Sequence, residues 1–316
     1  MNGVVARMPA NARWTVRVLL VMACAVSLLM AMSGAALAKK HAPKPKEPTI
    51  TTRTPITKGS TYLALGDSFT FGYEEAQVVP APNYQDASSF LGFPEMLGSE
   101  LHLKVVNAAC PGETSASLID NTAQSNSCEN LPPSKNPGGY RTMFPLHVNY
   151  SGSQLAFAVS YLKKHHDVRL VSLMIGGNDG LLCQETTADH CASLGEQAAV
   201  LATVAKNVKT ILSAIRDRAH YAGQLAIVNY YSPVPADNAT IPLLNQAIDT
   251  TAAPFHVEVA DGLGTFTAAA AHSGGDVCKA GLVTQLVGAS TPCGIHPSYA
   301  GQSLLAQSLE KVIRLG

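Results

Sequence analysis

The chain has no basic patch of the kind that grips nucleic acid. Its 22 lysines and arginines are matched by 22 aspartates and glutamates, so the formal charge is zero with histidine neutral. The one basic cluster, Lys39, Lys40, Lys44 and Lys46, falls in a stretch where charges are ordinarily solvated, although it could touch a cell envelope. No cysteine pair has C-x-x-C spacing, and only Cys191 has a histidine beside it, His190. That argues against a zinc site. No internal repeat is visible. From Met1 to Arg17 there is no acid at all, only Arg7, Arg13 and Arg17, and Val18 to Ala38 is nearly all apolar and closes with Ala36-Leu37-Ala38.

A basic start, an apolar run and a small-residue end read as a signal peptide over residues 1–38, which places the mature chain outside the cell. The apolar run is long, so an uncleaved N-terminal anchor is the rival reading. Cys24 lies inside the run and reads as one of its ordinary members. Removing residues 1–38 deletes three arginines and no acid, leaving 19 − 22 = −3. Residues 39–60 are rich in Lys, Pro and Thr and read as a flexible linker. Residues 61–316 then form one α/β domain, with enough chain for a substantial core.

Six cysteines follow the signal: Cys110, Cys128, Cys183, Cys191, Cys278 and Cys293. An even number in an exported chain argues for three disulfides, and 15 pairings are possible. The sequential set, Cys110–Cys128, Cys183–Cys191 and Cys278–Cys293, closes short loops. Each bridge would contribute at most about 3 kcal/mol by constraining the unfolded chain.

Periodicity alternates strand with helix. Strands are expected at Thr61–Leu65, Leu103–Ala108, Val168–Ile175, Gln224–Tyr231 and Val257–Val259. Helices are expected over Ser89–His102, Ser153–His166, Ala192–Ala219 and Ile241–Thr251, with a last one opened by Pro297. Residues 121–150 are rich in Ser, Asn, Pro and Gly, a length of irregular chain that suits a functional loop. The alternation implies a parallel sheet covered on both faces, with the ligand site at the carboxyl ends of the strands.

Three motifs fall in such places. Gly66-Asp67-Ser68 follows the first strand, Gly176-Gly177-Asn178-Asp179 the third, and His296-Pro297 lies near the C-terminus. A serine, an asparagine amide and a histidine are the nucleophile, oxyanion donor and base of acyl transfer. The bland alternatives are a helix-capping serine, a turn asparagine before a capping Asp179 and a surface histidine. Gly112, in the turn after the second strand, can add a backbone N–H. An α/β-hydrolase nucleophile turn would need G-x-S-x-G, and Thr70 stands where its second glycine belongs.

Taken in order and spacing, Gly66-Asp67-Ser68, Gly112, Gly176-x-Asn178-Asp179 and His296-Pro297 resemble the four blocks of the SGNH, or GDSL, hydrolases. The resemblance covers residue 61 to the C-terminus. It implies a three-layer α/β/α, flavodoxin-like, doubly wound parallel sheet and a metal-free, cofactor-free esterase or lipase. It implies Ser68 as nucleophile, His296 as base, and Ser68, Gly112 and Asn178 as oxyanion donors. Three local disulfides in an exported chain also resemble secreted actinobacterial lipases of this family.

One position departs from the pattern. The family usually places an aspartate three residues before the histidine, and here that residue is Cys293. The expectation is a Ser–His dyad whose imidazole is oriented by a backbone carbonyl at Pro292 or Cys293, with Asp276 as the alternative acid. The Cys278–Cys293 bridge would hold the histidine loop. The expected reaction is hydrolysis of a small-molecule or lipid ester. Carbohydrate deacetylation, acyl transfer on the same residues, or an envelope-bound binding protein without turnover are the rivals. Tyr73, Tyr84, Tyr140, Phe144 and Tyr150, from loops 73–87 and 121–150, are expected to line the pocket.

Overall fold

A computed structural model describes residues 54–131, 138–234 and 238–316. The expected signal segment 1–38 lies outside them, as does the linker up to residue 53. The elements in chain order are β1 (Thr61–Gly66), α1 (Ser68–Phe71), α2 (Phe93–Glu100), β2 (Lys104–Asn107), α3 (Ser115–Ile119), α4 (Tyr140–Met143), α5 (Gln154–Lys164), β3 (Val168–Met174), α6 (Gly177–Thr186), α7 (Leu194–Ser213), β4 (Gln224–Val228), α8 (Ile241–Ala252), β5 (Glu258–Ala260), α9 (Gly262–Ala270), β6 (Val283–Gln285), β7 (Cys293–Pro297) and α10 (Tyr299–Glu310).

β1 to β5 form a parallel sheet in the order β2-β1-β3-β4-β5. Helices α2, α9 and α10 pack together on one side, and α3, α5, α7 and α8 on the other. This is the expected doubly wound arrangement with flavodoxin-like strand order. β1 is buried along its whole length, which is why Thr61-Tyr62-Leu63-Ala64-Leu65 reads as an unbroken run rather than an alternating one. Leu63, Leu65, Leu170 and Leu173 are fully buried, each such side chain contributing roughly 1.5–3 kcal/mol. A polar pair within this layer satisfies itself: the Tyr62 hydroxyl and Ser172 Oγ are 2.6 Å apart between β1 and β3.

Several boundaries differ from the sequence reading for local reasons. The helix expected from Ser89 begins at Phe93. Pro94 occupies its first turn, where a missing N–H costs nothing, and a separate 3₁₀ turn, Ala87–Ser89, is capped by Asp86. Pro297 ends β7 instead of opening the last helix, which Ser298 caps. The expected linker stops short of residue 60. Ile56 is buried, pairs with Leu315, and exchanges backbone hydrogen bonds with Arg314 and Gly316. Residues 54–60 therefore belong to the fold.

The antiparallel hairpin β6–β7, α6 and α9 are additions that periodicity did not foresee. β6 and β7 are too short to show an alternation, and α6 opens on Gly177-Asn178-Asp179-Gly180, a turn-like sequence. All three sequential disulfides are present: Cys110–Cys128, Cys183–Cys191 and Cys278–Cys293.

Candidate active site

The order of the sheet reverses between β1 and β3, and the carboxyl ends of those two strands carry Ser68 and Asn178. Ser68 is the first residue of α1, a single turn of four residues. A turn this short does not hold itself, because its last carbonyls lack intrahelical donors. Here each carbonyl finds one. Ser68 O accepts from the N–H groups of Gly72 and Tyr73. Phe69 O accepts from Gln302 Nε2 (3.0 Å), Thr70 O from Asn107 Nδ2 (2.8 Å), and Phe71 O from His147 Nε2 (3.0 Å). At the other end Asp67, rather than Ser68, is the cap: its Oδ1 accepts from Phe69 N and its Oδ2 from the Tyr230 hydroxyl at 2.5 Å. The serine hydroxyl is thereby left to other partners.

Ser68 Oγ lies 3.0 Å from His296 Nε2. The imidazole sits between Tyr73 and Phe69, ring centroids 4.7 and 5.6 Å away. Its other nitrogen, Nδ1, is 2.7 Å from Glu75 Oε1. With Nδ1–H donating to the carboxylate, Nε2 is left as the acceptor of the serine proton, the tautomer a general base requires.

This geometry corrects the expected orienters. The Pro292 carbonyl accepts from Leu286 N (2.9 Å) and the Cys293 carbonyl from Thr291 Oγ1 (3.1 Å). Asp276 accepts from the N–H groups of Cys278 and Lys279 and pairs with Lys279 Nζ at 3.3 Å. None of the three reaches the ring. Glu75 does so because it lies on the loop leaving α1, which the hairpin holds. Thr284 Oγ1 donates to its Oε2 (2.6 Å), Ile295 N donates to its Oε1 (3.2 Å), and Val287 N donates to Gln77 O. Gly294 makes room for it, since a Cβ there would stand 2.0 Å from Glu75 Oε1. The Cys278–Cys293 bridge closes the same hairpin, as expected. A Ser–His pair backed by a carboxylate replaces the expected dyad.

On the opposite side, Asn178 is the second residue of α6 and 6% exposed. Its Oδ1 accepts from Asn126 Nδ2 at 3.2 Å, which turns its own Nδ2 away from that contact. Asn126 N also donates to Gly112 O at 2.8 Å. One asparagine, inside the loop closed by Cys110–Cys128, thus braces both expected oxyanion donors. Gly112 adopts φ +81°, and a Cβ on it would lie 2.2 Å from Ser127 Oγ, so only glycine fits. Among the described residues no acceptor takes the N–H of Gly112. Ser68, Gly112, Asn178 and His296 line one cavity of about 520 Å³. Tyr73, Tyr84, Tyr140 and Phe144 line it as expected; Tyr150 does not. Its hydroxyl donates to Ala108 O, and its ring lies under the Arg141 guanidinium and against Phe157.

The carboxyls around the site divide into two kinds. For Glu75, burial works to raise the pKa. The hydrogen bond and charge of His296 and the Thr284 hydroxyl overcome it and bring the group down to about 2. Four others go up because burial dominates: Asp67 to about 6, against its bond from Tyr230; Asp179 to about 6, against those from Ser115; Glu95 to about 7, against Asn107; and Glu113 to about 8, against Ser117. Glu113 also accepts from Gln154 Nε2 at 3.1 Å. Gln154 in turn grips Gly66, just before the serine turn, at both N–H (2.6 Å) and C=O (3.0 Å).

The folded state holds the protons of these four groups more tightly than the unfolded state does. Their stabilisation is complete below the ordinary carboxyl range and is lost as pH rises through about 6 to 8. Glu75 acts oppositely: its contribution is present above the ordinary range and fades as pH falls towards about 2. The melting temperature is therefore expected to peak near the ordinary carboxyl range and decline towards pH 8. Glu113→Gln should flatten that decline by on the order of 2 kcal/mol between pH 6 and 8. A melting temperature in Glu113→Gln with the wild-type pH slope would refute the assignment.

The family model described as the GDSL-like lipase/acylhydrolase family matches residues 64–304. No curated protein matches. Among solved structures, phospholipase A1 from Streptomyces albidoflavus NA297 is similar at a TM-score of 0.50 and 18% identity, over 80% of this chain and 99% of that one. The lipase Lip_vut3 from a goat rumen metagenome is similar at 0.50 and 16%, over 80% and 96%. At such identities the likeness is one of fold.

Proposed function

The chain belongs to the GDSL-like lipase/acylhydrolase family and is a carboxylic ester hydrolase, and on that premise we propose that it works through an acyl-enzyme on Ser68, with His296 as base and Glu75 as the carboxylate that orients it. The observation that carries this reading is the continuous line of contacts from Ser68 Oγ to His296 Nε2 at 3.0 Å and from His296 Nδ1 to Glu75 at 2.7 Å. Ser68 Oγ attacks the ester carbonyl while Nε2 takes its proton. The charge developing on the carbonyl oxygen meets the N–H groups of Ser68 and Gly112 and the Asn178 amide. Nε2 then returns the proton to the departing alcohol. Water, activated by the same imidazole, releases the acid.

The N-terminal pattern of residues 1–38 supports export, and three disulfides fit an oxidising compartment. We place the mature enzyme outside the cell on those two grounds. The mostly apolar cavity wall favours an acyl ester over an acetylated sugar. The test is covalent labelling with a fluorophosphonate followed by peptide mass analysis. One label on the peptide carrying Ser68, absent in Ser68→Ala, is expected. Hydrolysis of simple esters without modification at Ser68 would refute the role of this serine.

A further inference from the structure

We propose that Ser68 and His296 divide the cavity into two arms of different chemistry: an aliphatic arm that takes the acyl chain and an aromatic arm that takes the alcohol. This deepens the esterase reading above and rests on it. The first arm carries saturated side chains from three helices, Leu181 of α6, Val200 and Leu201 of α7, and Leu244 of α8, with the Tyr230 ring, packed against Gly177, also in the cavity wall. Leu243 stands at its mouth, 48% exposed. The second is walled by Tyr73, Tyr84, Tyr140 and Phe144, whose ring centroids lie 5.2 to 6.0 Å apart in tilted and edge-on pairs.

The chemistry decides which half of an ester enters which arm. The bond that forms joins Ser68 Oγ to the carbonyl carbon, and the bond that breaks joins that carbon to the alcohol oxygen. The serine proton travels by way of His296 Nε2 to the departing oxygen, so the alcohol must leave beside the imidazole. Tyr73 lies against that imidazole at 4.7 Å and also meets Tyr84 and Tyr140. The aromatic arm therefore opens where the alcohol departs. The acyl carbon stays on Ser68 with its oxygen turned towards Asn178. Leu181 lies three residues further along α6, on the same face as Asn178. An acyl chain leaving the carbonyl along α6 runs between α6, α7 and α8.

The aromatic arm is not uniformly greasy. The Tyr84 hydroxyl reaches both Tyr73 Oη (3.2 Å) and Glu74 O (2.7 Å). The buried Tyr140 hydroxyl has no partner among the described residues. Flat faces with phenolic edges suit a ring-bearing alcohol that carries a polar group. At about 30 Å³ for each water-sized group, the cavity holds on the order of 17 non-hydrogen groups. A six-membered ring alcohol then leaves room for an acyl chain of about eight to ten carbons.

The experiment measures kcat/KM for 4-nitrophenyl and ethyl esters of acetic, butanoic, octanoic and dodecanoic acids. In the wild type the octanoate should exceed the acetate by about tenfold or more, since each buried methylene is worth about fourfold. Val200→Trp fills the aliphatic arm and should lower the octanoate-to-acetate ratio about tenfold, with the nitrophenyl-to-ethyl ratio unmoved. Leu243→Trp, at the exposed mouth, should do the same for the dodecanoate and guards against misfolding of the first variant. Phe144→Ala should lower the nitrophenyl-to-ethyl ratio by about tenfold at a fixed acyl chain. Exchanged effects, with Val200→Trp acting on the alcohol and Phe144→Ala on the acyl chain, would overturn the assignment. So would equal effects on every substrate. Each variant is also labelled with the fluorophosphonate: labelling with unchanged ratios sinks the two-arm division alone, whereas a wild type that neither labels nor turns over sinks the esterase reading beneath it.

Discussion

Glu75→Gln should lower kcat by about two to four orders of magnitude with little change in KM, because it removes the charge behind the imidazole and leaves the cavity walls in place. In the proposed mechanism the carboxylate has two jobs. It fixes the tautomer, by accepting from Nδ1, and it stabilises the imidazolium that forms when Nε2 takes the serine proton. A glutamine oxygen at the position of Oε1 can still accept from Nδ1, and its amide can face Thr284 Oγ1. The tautomer can therefore survive, and the loss reports chiefly the missing charge. Glu75→Ala removes both contributions and should fall further. The group sits at about 2 in the folded enzyme, so it stays ionised throughout the working range, and no limb of the wild-type pH–rate profile above pH 4 belongs to it. Steady-state kinetics on a short 4-nitrophenyl ester checks the rate. The low-field proton resonance of the Nδ1–H···carboxylate pair, present in the wild type and lost in Glu75→Ala, checks the cause. Retention of more than about a tenth of the wild-type kcat in both variants would return the site to the Ser–His dyad that the sequence suggested.

Local sequence favours the dyad, and the geometry departs from it for a physical reason. No acid lies between Cys278 and His296 in the chain. The partner found by the fold is separated from it by 221 positions, on the loop that leaves the serine turn. The pair Glu74-Glu75 was visible after Tyr73, but nothing local separates the two. Glu74 offers its backbone carbonyl to Tyr84, and only the hairpin, through Thr284 and Ile295, selects Glu75. The central strands were legible because burial on both faces gives them unbroken apolar runs. The hairpin was not, since its strands are three and five residues long. Ser68, Asn178 and His296 could be read from motifs because each stands at a strand end or in a turn with its own glycine or proline signature. The residues that steady them, Gln154, Asn107, Gln302, His147 and Asn126, carry no such mark. Each acts through one or two hydrogen bonds to a distant backbone or side-chain group, and only packing brings them there.

The steadying of Asn178 leads to the second large effect. Asn178→Ala should reduce kcat by about 10²–10³, the loss seen when one oxyanion donor is removed, or about 2.7–4 kcal/mol of barrier. KM should move little, since the amide meets charge that develops only as the carbonyl becomes tetrahedral. The amide is aimed because Asn126 Nδ2 occupies its Oδ1 at 3.2 Å. Asn126→Ala should therefore lower kcat by a smaller factor, about tenfold, by letting the amide rotate. If the brace works only through Asn178, the double variant Asn126→Ala/Asn178→Ala should be no slower than Asn178→Ala. If it also aims the Gly112 N–H, the double variant should be slower by the share that Gly112 carries. The hydrogen bond from Asn126 N to Gly112 O is made by the backbone and survives in Asn126→Ala, which favours the first result. Comparison of kcat among the two single variants and the double variant decides between them. A kcat for Asn178→Ala within threefold of the wild type would mean that the oxyanion is held elsewhere, and would remove α6 from the catalytic centre.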